Sequence, residues 1–149
     1  MFLAFGYLLV LGLHLPSWGG TGDGCGKSSR SDAAGLARTW HVSLPEEVEK
    51  VYHCMDGQGA PYAGMSHFLF AIPGNRVESY FQSMDIEPKF HFDTRQGFED
   101  VARMAGRDVS KVKRYESGSV SRRGLTYSLF VDEDAADSSA VYVEVISAG

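Results

Sequence analysis

The chain reads as an α+β domain: an antiparallel sheet with two helices packed on one face, preceded by an N-terminal signal or anchor segment. Three observations predict it. Apolar and polar side chains alternate with a two-residue period in the runs that begin at Ser66, Leu125 and Val141, as strands require. Between them lie two apolar stripes at helical spacing, Val77, Tyr80, Phe81, Met84 and then Phe98, Val101, Ala102, Ala105. Residues 1–15 are almost wholly apolar. Strands, then two helices, then strands is the order of a sheet with helices to one side.

Residues 1–15 are interrupted only by Gly6, Gly12 and His14, and Pro16 ends the run. About 15 apolar residues fall short of the roughly 20 that cross a bilayer but suit the core of a signal peptide. Residues 1–24 therefore read as a signal peptide or membrane anchor, although no Lys or Arg precedes Lys27. Small and polar residues make 25–38 a flexible Gly/Ser tether, which leaves 39–149 as one α+β domain. Cys25, just after Gly24, is a lipidation candidate; the competing expectation is a disulfide with Cys54 in an oxidising compartment. Gly26-Lys27-Ser28 imitates a phosphate loop, but Thr21 stands where that motif needs Gly and no strand precedes it.

Residues 40–44 are a short extended piece closed by Pro45, with Trp40 as anchor. Residues 48–55 read as a strand with Val51, His53 and Met55 on one face, followed by the turn chemistry of 56–61. The strand from Ser66 breaks at Pro73-Gly74, and Asn75 with Glu78 reads as a capping pair for the first helix. Residues 90–92 are expected to be extended. Asp93 or Thr94 caps the second helix and Gly106 ends it. Strands at 125–131 and 141–146, joined by the acidic turn 132–139, form a C-terminal hairpin.

The runs LPEEVEKVYH, HFLFAIPGNRVESYF and LTYSLFVDED…AVYVEVISAG, behind an apolar leader, resemble a family of small exported lipoproteins of actinobacteria. The resemblance spans 40–149 and is one of hydrophobic pattern. It implies a cell-envelope location and carries no established activity.

Chemistry is sparse. The 149 residues, 44% of them hydrophobic and 22% charged, suffice for one cored domain, and the net charge of −5 argues against nucleic acid. Of five histidines, His14 leaves with the leader and His41 lies in the extended piece. His53, His67 and His91 are the candidates for a small exported hydrolase or metal-dependent enzyme. His53 and Cys54, as strand neighbours, face opposite ways and do not share an ion. Asp132, Asp134 and Asp137 fail the calcium-loop pattern at its Gly and Glu positions. No G-x-S-x-G or H-E-x-x-H occurs, and no cofactor is expected.

Charge is asymmetric. Residues 103–123 carry seven basic side chains against Asp108 and Glu116, a local excess of +5. Lys111, Lys113, Arg114, Arg122 and Arg123 are thus candidates for contact with an anionic lipid surface or wall polymer. The expectation is an exported, membrane-associated or lipid-anchored envelope domain that works by binding a protein or ligand and not by catalysis.

Overall fold

The four predicted strands form, and two that were not predicted join them. The computed structural model describes residues 25–56, 64–89 and 94–147. In chain order these form β1 (Cys25–Ser29), α1 (Arg30–Thr39), β2 (Lys50–Asp56), β3 (Met65–Pro73), α2 (Val77–Ser83), α3 (Glu99–Met104), β4 (Tyr115–Arg122), β5 (Leu125–Asp132) and β6 (Ser138–Ser147). Three 3-10 turns, Gly74–Arg76, Arg95–Phe98 and Val109–Lys111, complete the described elements. The strands make one six-stranded sheet of order β1-β2-β3-β6-β5-β4, antiparallel at every pairing.

Strand parity sorts the core. Phe68, Phe70 and Ile72 of β3 share a face with Val141, Val143 and Val145 of β6 and with Tyr127, Leu129 and Val131 of β5. Ala33 and Ala37 of α1 and Val77, Tyr80 and Phe81 of α2 cover that face. Leu69, Phe130 and Tyr142 point the other way, under Phe98, Val101 and Ala102 at α3. The two stripes identified by their spacing thus lie on opposite faces of the sheet, not on one. The central strands are apolar in both phases, and a sheet buried on both sides needs a cover for each.

The 25–38 tether is likewise replaced by structure. Ser29 caps α1 by accepting from the Asp32 amide at 3.3 Å, and Asp32 favours the positive end of the helix dipole. Ala33 and Ala37, one turn apart, are small enough to bring α1 close against the sheet. Arg30 then clamps the segment after it, donating from Nε to Pro45 O and from Nη2 to Leu44 O, both at 2.9 Å.

Helix ends follow one rule. His41, Asp85 and Gly106 have φ of 54°, 55° and 70°. Each stands after a helix whose last carbonyls are taken by the next two amides, His41→Arg38 and Val42→Ala37 in α1, with matching pairs at α2 and α3. Gly106 therefore ends α3 as its sequence position predicts. The helix starts differ from expectation: α2 grows out of a 3-10 turn with no side-chain cap from Asn75. Thr94 donates weakly to Leu129 O at 3.4 Å instead of capping, and Asp93, like 90–92, lies outside the described residues.

β4 escaped the periodicity because Val120 is its only aliphatic side chain larger than alanine. The two-residue turn Arg123-Gly124, with φ of 53° and 76°, is what pairs it with β5.

Candidate functional site

The sheet carries one polar row from edge to edge. Cys25 stands opposite Cys54, Cys54 opposite His67, His67 opposite Glu144, Glu144 opposite Ser128 and Ser128 opposite Ser119. Parity puts all six on the α3 face. Cys25 and Cys54 form a disulfide, S–S 2.01 Å. A sulfur in that bond cannot also carry a lipid thioether, so Cys25 is a staple between β1 and β2, and the lipidation reading is corrected. His67 is buried; its Nε2 lies 2.9 Å from Glu144 Oε2, and its ring meets Phe98 edge-on at 5.8 Å. Gly97 passes directly over the carboxylate: a Cβ there would sit 2.6 Å from Glu144 Oε2.

His53 is on the opposite face from His67. Its Nε2 lies 3.2 Å from Ser28 Oγ, while the buried Nδ1 has no partner. Burial holds its pKa below the ordinary histidine value, so the ring is neutral at pH 7. The pair resembles a nucleophile and base, but Nδ1 lacks the orienting acceptor that such a base needs. His53 and His67 therefore do not converge, and His91 lies outside the described residues. Among the described residues no group of three or more His, Cys, Asp or Glu could hold a metal ion.

The basic residues separate as well. Lys111, Lys113 and Arg114 precede β4, whereas Arg122 and Arg123 lie at its far end, roughly 25 Å away at about 3.3 Å per strand residue. Arg122 is committed: it donates to Met84 O and lies 4.6 Å over the Tyr127 ring. Lys111 is 3.7 Å from Asp108. The five do not form one patch. The separation along a strand is the physical reason.

A different grouping does form. Lys113 and Arg114 join Lys89 along a groove of about 520 Å³ beside the start of β4. Ser117 lines this groove, is 1% exposed and has a hydroxyl with no hydrogen-bond partner among the described residues. Lys89 is brought there by its amide, which donates to Ser117 O at 2.6 Å. Around Pro88, Glu116 and Glu133 the groove adjoins a second one of about 670 Å³, with Glu78 and Glu87 on its walls. Burial first, and then the neighbouring Glu116 charge, raises the Glu133 pKa. Of these residues only Lys113 and Arg114 were singled out from sequence. Glu78, the Glu87–Lys89 stretch and Ser117 come from three different segments, and no spacing links them.

No protein-family model, no curated protein and no solved structure matches the chain.

Proposed function

We propose that this is an exported domain of the bacterial envelope that acts by binding, held at the membrane through residues 1–24 or released after cleavage. The observation that carries the proposal is the Cys25–Cys54 disulfide. Such bonds persist in oxidising compartments and are rare in the cytosol, and this one begins ten residues beyond the apolar run 1–15. The same location is what the likeness to small exported actinobacterial lipoproteins implies. Binding is favoured over catalysis because His53 and His67 face opposite sides of the sheet, whereas the charged groove beside β4 offers recognition groups without a nucleophile–base pair.

Intact mass, with and without reductant, on membrane and soluble fractions of the native host tests this. A chain that gains two mass units on reduction, recovered outside the cytoplasm, is the expected result. A reduced full-length chain in the cytosol overturns it, and a mass for Cys25 onward plus acyl chains overturns the disulfide.

A further inference from the structure

The two adjoining grooves at β4 are opposite in charge. On one side stand Lys89, Lys113 and Arg114; on the other stand Glu78 and Glu87, with Glu116 and Glu133 at the junction. Among the described residues no ion pair engages Lys89, Lys113, Glu78 or Glu87; the exposed Asp134 carboxylate accepts from the Lys113 and Arg114 amides and offsets part of the charge at the basic end. Arg114 is positioned by its own donation to Glu133 O at 2.6 Å. Tyr115 and Pro88 lie between the two ends, and the second groove is floored by the buried Phe81 and Ile86.

We infer that this bipolar trough binds a short extended peptide segment carrying an acidic group at one end and a basic group at the other. The acidic group sits among Lys89, Lys113 and Arg114. The basic group lies further along the segment, between Glu78 and Glu87. A purely anionic surface is disfavoured, because Glu116 and Glu133 at the junction would repel its continuation.

The inference rests on the binding role proposed above and tests separately from it. Calorimetric titration of the disulfide-bonded protein should use four probes: a blocked ampholytic hexapeptide, its all-acidic and all-basic counterparts, and anionic phospholipid vesicles. The ampholytic peptide is expected to saturate and to bind about tenfold more tightly than the others, a factor within reach of one charge contact. Lys113→Glu and Glu87→Gln should each weaken it by about that factor. Ser117→Ala should leave that binding unchanged and the unfolding midpoint unchanged or higher, since it removes an unsatisfied buried hydroxyl. Equal or tighter binding of the all-acidic peptide or of the vesicles overturns the assignment, as does the absence of saturable binding by the ampholytic peptide. A cytosolic location would overturn the envelope role and leave this titration standing.

Discussion

His53 gives the molecule a pH dependence that one side chain controls. Its folded-state pKa is lowered by burial, so between that value and the ordinary value of 6.5 the unfolded chain binds more protons than the folded one. Stability is therefore fully present above the unfolded value and is lost as pH falls from there toward the folded value. Urea unfolding of wild type and His53→Gln across this range should show a slope in the first and a flatter line in the second; parallel lines would refute the assignment. Gly118 is a second single-residue constraint. A Cβ there would stand 2.5 Å from the Glu87 carbonyl oxygen and 2.7 Å from Ile86 Cγ2, and backbone cannot yield as a side chain does. Gly118→Ala is expected to cost about 1–3 kcal/mol, measured by the same unfolding experiment. Gly97→Ala meets only the end of the Glu144 side chain, so it should shift the His67 ring resonances before it lowers stability. Neither glycine was legible in the sequence, because what presses on each comes from a distant segment.

The elements end more strictly than they begin. All three helices close on a residue with positive φ, and only the third uses glycine. His41→Gly and Asp85→Gly should each stabilise by about 0.5–1 kcal/mol by removing the left-handed penalty of a residue with a Cβ. Denaturation midpoints would check this, and a loss of stability at both sites would count against the closing geometry. Gly106 was readable because glycine announces a left-handed position; His41 and Asp85 were not, because tertiary packing at Val42 and Ile86 holds them there. The disulfide acts at this scale too. It closes a span of 29 residues that includes β1 and α1, and losing that constraint in Cys54→Ser should cost roughly 3–4 kcal/mol. Hydrogen exchange after reduction should show β1 and α1 opening first, while β3, β5 and β6 keep their protection. Simultaneous loss everywhere would mean that the staple holds the whole fold.

At the scale of the molecule, β3 and β6 lie at the centre of the sheet and bury both faces, and the remaining elements are arranged around them. The runs FLFAI and AVYVEV already contained that information, since apolar residues occupy both phases. Reading them as alternating recovers the strands but assigns helices to one side only. The features legible in the sequence are local: strands from period-two runs, helical stripes from the spacing of three and four, the acidic turn 132–139, the helix stop at Gly106 and an apolar N-terminal run. These depend on side chains a few residues apart, whose geometry the backbone sets directly. The tertiary structure alone decided that α2 and α3 cover opposite faces, that 25–38 belong to the domain, that Cys25 meets Cys54, and that the five basic residues divide between the two ends of β4. It also brought Lys89, Ser117, Glu78 and Glu87 together. Register and crossing depend on the summed packing of both faces, which no local spacing encodes.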